Sequence, residues 1–329
     1  MAKPDHFLVA PDSFKGTLSA REVAEAIGRG LERAGAAADL CPAADGGEGT
    51  GTVLLDAMGG EKRTAPAHDP LGRPIEADYA LVRDGSTAIV ESAAASGLDL
   101  VPEEERDAEA ASSAGTGELI AAAIEAGAKR ILVAVGGSAT TDGGRGAVDA
   151  IEAAGGVRDA KLEVLCDTSV PFERAAEVFA AQKGASPEQV QALTSRLVAL
   201  AGTFPRDPRD RAMTGAAGGL SGGLWAAFGA HLAPGAAFVL GILGFDNRLE
   251  GADAVITGEG RIDAQSREGK LTGEIARRCR AAGVPCHAIA GEIALDPKSE
   301  AELGFASLGA AGSVDSIEGT AERIAGRVG

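Results

Sequence analysis

The sequence predicts an α/β protein of two domains, and three observations carry that expectation. Short apolar runs alternate with helical segments along most of the 329 residues. Several of these runs end in glycine-rich turns bearing carboxylates or hydroxyls, as strand ends in open α/β sheets do. One interval, residues 63–90, has the texture of antiparallel pairing and interrupts the alternation. The expected architecture joins residues 1–60 to 240–329 as one α/β domain. Residues 61–239 form a second, mixed α/β domain inserted into it, and ligand lies in the cleft between the two.

In chain order, residues 6–10 form a first strand that delivers Asp12, Ser13 and Lys15 to a loop at its carboxyl end. Ser19 and Glu22 make a capping box for a helix to about residue 34, whose apolar face carries Val23, Ala26, Ile27 and Leu31. A strand over 38–42 ends in Asp45-Gly46-Gly47-Glu48, and residues 53–58 continue as helix. Strands over 75–82 and 87–90 flank Arg83-Asp84-Gly85-Ser86 as a hairpin. Thr116-Gly117-Glu118 opens a helix to about residue 126.

The unbroken apolar run 131–135 suits a strand buried on both faces. It is followed by Gly136, Gly137, Ser138, Ala139, Thr140, Thr141, Asp142, Gly143 and Gly144 before a helix over 147–154. Four glycines let that turn bring N–H groups close to a ligand, and its hydroxyls and carboxylate suit a phosphate, a divalent cation or a small polyol acid. A strand over 161–166 precedes helices over 172–181 and 187–201. The glycine run 215–223 reads equally as a hinge and as a ligand contact, and it leads into a helix over 224–232. A strand over 252–256 ends in Thr257-Gly258-Glu259-Gly260-Arg261-Ile262-Asp263. Gly269-Lys270 starts a helix to about residue 282, a strand spans 285–290, and a helix over 317–328 closes the chain.

Composition narrows the function. With 31 Lys and Arg against 48 Asp and Glu, the net charge is −17, which argues against nucleic acid or an anionic membrane surface as partner. Aromatics make up 3% of residues, too few to build stacking platforms for bases. Cys41, Cys166, Cys279 and Cys286 show no metal-ligand spacing and are expected as reduced thiols in or near the core. No apolar segment suits a signal peptide or a bilayer span, so a cytoplasmic location is expected. Neither a dinucleotide G-x-G-x-x-G after a strand nor a Walker G-x-x-x-x-G-K-[ST] occurs. Gly269-Lys270 comes nearest to the latter but has Leu271 where Ser or Thr belongs. Carboxylates at two strand ends, Asp45 with Glu48 and then Asp142, suggest a bound cation with oxygen ligands.

The segments 10–16 (Ala-Pro-Asp-Ser-Phe-Lys-Gly), 44–50 (Ala-Asp-Gly-Gly-Glu-Gly-Thr), 115–120 (Gly-Thr-Gly-Glu-Leu-Ile), 136–144 and 256–263 resemble, in order and across nearly the whole chain, the type I glycerate kinase family. The resemblance implies ATP-dependent phosphorylation of D-glycerate, usually at the 2-hydroxyl, with Mg²⁺. It also implies a two-domain α/β fold in which one domain is Rossmann- or flavodoxin-like. The sequence departs from the family pattern in a shortened connection at 157–161, in Asp167-Thr168-Ser169-Val170-Pro171-Phe172, and just before Gln182-Lys183-Gly184-Ala185.

On this resemblance Lys15 and Lys270 are assigned to phosphate or carboxylate charge. Asp45, Glu48 and Asp142 are assigned to Mg²⁺ or to activation of the hydroxyl, with Lys15, Asp45, Asp142 and Lys270 as the catalytic set. Arg261 is a candidate fork for the glycerate carboxylate. Ser138 and Thr141, with the N–H groups of Gly136 and Gly137, would hold phosphate or glycerate oxygens, and Asp12, Ser13, Glu259 and Asp263 complete the substrate-binding set. Two other classes stay open: a nicotinamide-dependent oxidoreductase of a small hydroxy acid, for which Asp45 is placed to meet a ribose, and a non-catalytic small-molecule-binding regulator. The oligomeric state is open, with a homodimer to be tested.

Overall fold

In the computed structural model, which describes residues 5–263 and 270–328, the strands in chain order are β1 (His6–Pro11), β2 (Ala37–Leu40), β3 (Gly60–His68), β4 (Pro74–Val82), β5 (Thr87–Glu91), β6 (Arg130–Val135), β7 (Lys161–Cys166), β8 (His231–Pro234), β9 (Ala254–Ile262), β10 (Cys286–Ile293) and β11 (Ser307–Ala310). They divide between two units, Met1–Asp45 with Ala236–Gly329, and Gly46–Gly235.

In the first unit every strand pairing is parallel and the spatial order is β11-β10-β9-β1-β2. Counted within the unit this is the 2-1-3-4-5 order of flavodoxin-like sheets, with the topological switch point between β1 and β9. β1 is apolar from Phe7 to Pro11 because both its faces are covered, and Phe7 and Val9 pack with the helices Ala20–Arg33 and Val314–Val328. The capping box at Ser19 and Glu22 is present in both directions. β9 runs further than its apolar stretch suggests, continuing through Gly258, Glu259, Gly260 and Arg261 in register with β10. The glycines make this possible: a Cβ on Gly258 would lie 2.5 Å from the Ile289 carbonyl oxygen. The 256–263 motif is therefore mostly strand rather than loop. Gly269 lies outside the described residues.

The second unit holds a mixed sheet in the order β3-β4-β5-β6-β7-β8, antiparallel from β3 to β5 and parallel from β5 to β8. The β4–β5 hairpin is as expected. β3 escapes sequence reading because Glu61, Lys62, Arg63 and Thr64 give no apolar alternation, and only Ala65 and Ala67 turn inward. The helix Thr50–Met58 packs on β4 and β5, which places residues 46–60 with this unit, so the boundaries fall after Asp45 and after Gly235 rather than near 60 and 240. All four cysteines are buried free thiols. No described helix is long and apolar enough to cross a membrane.

The glycine run does not form a linker. Residues 216–228 are helical with a kink at Ala217, Gly218 and Gly219, and residues 231–234, the first two of which were expected to end a helix, are strand β8. Small residues are needed here because the helix lies directly on the 140–144 loop: a Cβ on Gly218 would sit 2.0 Å from the Thr140 oxygen, and one on Gly223 2.4 Å from that of Gly143. Gly218 also has φ +65°. Gly218→Ala is therefore expected to destabilise by about 2–4 kcal/mol through clash and backbone strain together, read as a lowered urea midpoint with unchanged slope.

Candidate functional site

In the first unit a cavity of about 340 Å³ opens at the carboxyl ends of the strands, lined among others by Asp12, Ser13, Lys15, Asp45, Glu259, Arg261 and Lys270. This is the switch point, where the loop after β1 and the end of β9 diverge and leave a crevice. Asp12 is buried; its N–H donates to the Gly258 carbonyl, and its Oδ1 accepts from the Ser13 N–H at 2.7 Å and the Ser13 hydroxyl at 3.3 Å. Burial pushes its carboxyl well above the usual range, and the neighbouring Asp45 pushes further, against the opposing effect of Lys15. Asp45 itself is 4% exposed. Glu259 accepts a hydrogen bond from the Thr272 hydroxyl and lies 3.6 Å from the Lys270 ammonium, which stands at the N-cap of the helix Leu271–Ala282. Arg261, on the rim, is ion-paired with Glu292 at 3.1 Å and with Asp263 at 3.6 Å.

In the second unit a smaller cavity of about 100 Å³ is lined among others by Gly136, Gly137, Ser138, Asp167, Gln182 and Lys183. The loop that carries it is held from several sides: Leu98 N–H donates to Gly137 O, Ala139 N–H to Ser96 O, and Arg196 Nη2 to Thr141 O. Gly136 needs its missing side chain, since a Cβ would come within 2.5 Å of the Gly47 Cα. Lys183, 3% exposed, donates to the Ser138 hydroxyl at 3.1 Å and to the Thr140 carbonyl at 2.5 Å. Burial lowers its ammonium to about 8, with Asp142 and Asp167 pulling the other way. Sequence reading passed over Lys183. A single lysine between two helices carries no local pattern, and lysines are overwhelmingly surface residues.

Several expected ligands take other places. Thr141 is fully buried outside the lining of this cavity, its hydroxyl without a partner among the described residues. Both oxygens of Asp142 accept hydrogen bonds, from the Ser113 N–H and hydroxyl at 2.8 Å each, from Gly144 N–H at 3.0 Å and from Gly146 N–H at 3.1 Å. That carboxylate fastens two loops and the start of the helix Arg145–Ala153. Asp142→Ala is accordingly expected to cost about 2–4 kcal/mol of stability, because several buried donors lose their acceptor at once, and thermal denaturation would register it. Glu48 lies beside Gly137, where an added Cβ would be 3.5 Å from its Oε2. Its neighbour Glu91, which accepts from Gly51 N–H at 2.6 Å, has its carboxyl raised by burial and further by the charge of Glu48.

Of the three carboxylates expected to share a cation, Asp45 belongs to the first unit and Glu48 and Asp142 to the second, and Asp142 accepts hydrogen bonds from Ser113, Gly144 and Gly146. Among the described residues no group of three or more His, Cys, Asp and Glu side chains forms a metal-ligand set. The pair Asp12 and Asp45 still fits Mg²⁺, which commonly takes one or two carboxylates and completes its shell with water and substrate phosphates. The raised carboxyl of Asp12 is what a cation would relieve.

A model of the glycerate kinase family matches residues 7–156 and 152–323. Similar proteins include the glycerate kinase of Bacillus subtilis (strain 168), 39% identical with 96% of this chain and 94% of that protein covered. The glycerate 2-kinase of Escherichia coli (strain K12) is 38% identical, with 88% and 86% covered. A crystal structure of a protein assigned as glycerate kinase 2 from Salmonella typhimurium LT2 superposes with a TM-score of 0.79 at 33% identity, over 98% of each chain.

Proposed function

The chain belongs to the glycerate kinase family, and from that premise we propose that it transfers the γ-phosphoryl group of ATP to the 2-hydroxyl of D-glycerate, with the nucleotide phosphates held in the first unit's cavity. The observation that carries the assignment is the 340 Å³ crevice at the switch point of a flavodoxin-like sheet, where two lysines converge on buried carboxylates. The second cavity, under a third of that volume, has no room for a nucleotide. The oxidoreductase and regulator readings find no support in this family membership.

Phosphoryl transfer passes through a loose transition state, so catalysis rests on positioning and on charges placed where the phosphate oxygens will be. Lys15, exposed on the loop after β1, and Lys270, at a helix N-terminus, are the cations for those oxygens. Asp12 and Asp45 would hold Mg²⁺, which when bound supplies charge neutralisation across the phosphates. Ser138 and Gly137 bind the acceptor acid, and Glu48, beside Gly137, orients its hydroxyl and accepts the proton.

Phosphorus NMR of the reaction mixture tests this. 2-Phosphoglycerate is expected only when ATP, D-glycerate and Mg²⁺ are all present, and its formation should stop with EDTA. No phosphoglycerate from the complete mixture overturns the proposal, and the 3-phosphate instead overturns its regiochemistry.

A further inference from the structure

We propose that Lys183 is the counter-ion of the substrate carboxylate, so that the small cavity of the second unit selects a short 2-hydroxycarboxylate, D-glycerate, over an uncharged polyol. The inference rests on the kinase reading above and adds to it the residue that makes the acceptor an acid. Four observations support it. Lys183 is buried almost completely, yet it lines the cavity. An ammonium has three donors, and the two hydrogen bonds it makes go to a neutral hydroxyl and a backbone carbonyl, which do not neutralise it. The wall around it is built from Gly136, Gly137 and Ser138, small residues that let an anion approach the backbone. The volume, about 100 Å³, suits a three-carbon acid.

The charged and titratable groups that face Lys183 are Asp142, from the loop after β6, and Asp167, from the end of β7. They are not enough to offset burial, and the ammonium titrates near 8. An anion bound beside it raises that value, so binding takes up a proton wherever the free protein has lost one. The direction follows by linkage: affinity is fully present below about pH 8 and falls as pH rises through it, about tenfold between pH 7 and pH 9.

Isothermal titration calorimetry on the 329-residue chain reads both effects. In the unsubstituted protein the Kd for D-glycerate should rise about tenfold from pH 7 to pH 9, and the heat at pH 8.5 should depend on the ionisation enthalpy of the buffer. Lys183→Met, close in volume, should weaken D-glycerate by about 10²-fold, remove the buffer dependence and the preference over glycerol, and leave the Kd for ATP within about twofold. Inorganic phosphate should not compete with D-glycerate at this site. Competition by phosphate, or D-glycerate affinity in Lys183→Met equal to that of the unsubstituted protein, overturns the role of Lys183 while leaving the kinase reading intact. Should Lys183→Met not fold, a pH-independent and buffer-independent affinity in the unsubstituted protein overturns it equally. Failure of the unsubstituted protein to bind D-glycerate at all overturns both.

Discussion

Replacing Asp12 by asparagine is expected to lower kcat by about 10³-fold while raising the melting temperature of the metal-free protein. The loss follows from removing one of two carboxylates available to the cation at the phosphates, an interaction that matters most in the transition state. The gain follows from the cost of keeping that carboxylate buried beside Asp45. Because its pKa in the folded protein lies above the ordinary 3.8, the folded state binds the proton more tightly than the unfolded chain does. The stability associated with Asp12 is thus complete below about 3.8 and declines as pH rises through the folded value. Asparagine, isosteric and neutral, escapes that decline. Thermal denaturation in EDTA at pH 3.5 and pH 7.5, with steady-state rates in excess Mg²⁺, checks both halves. Near-normal turnover, or a variant less stable at pH 7.5, would contradict the assignment.

Lys15→Ala is expected to cut kcat/KM for ATP by about 10²-fold with a stability change within about 0.5 kcal/mol. Lys15 is exposed on the loop after β1, so solvent screens the attraction by which it opposes the raised carboxyl of Asp12 and its removal costs little stability. Lys270→Ala should behave differently. Its ammonium is 3.6 Å from the mostly buried Glu259, so its loss leaves that carboxylate less compensated and should reduce stability as well as turnover. Parallel rate and denaturation measurements on the two variants separate these outcomes. Equal loss of stability in both would remove the distinction between a ligand-facing lysine and a structural one.

The local signals in the chain carried much of this. The capping box at Ser19, the apolar run of β6 and the β4–β5 hairpin are stated by short-range chemistry and appear as expected. β3 and β8 were not legible, since an edge strand of charged residues and a four-residue strand after a helix take their conformation from the sheet they join. The glycine run read equally as a hinge and as a ligand contact because glycine's permissiveness is visible in sequence, while the carbonyl oxygens pressed against it are not.

By itself the sequence determined the α/β class, the order of the loops that carry the chemistry and the family resemblance, because strand periodicity, caps and contiguous motifs are properties of neighbouring residues. Only the tertiary structure decided which of those loops share a cavity. Asp12, Asp45, Glu259 and Lys270 meet because β1 and β9 are adjacent in the sheet, although more than two hundred residues separate them. Asp142 was joined to Ser113, and Lys183 to Ser138, through contacts among segments distant in the chain. Burial and pairing set the charge state of a side chain, and both are created by folding rather than by the residue's own neighbours.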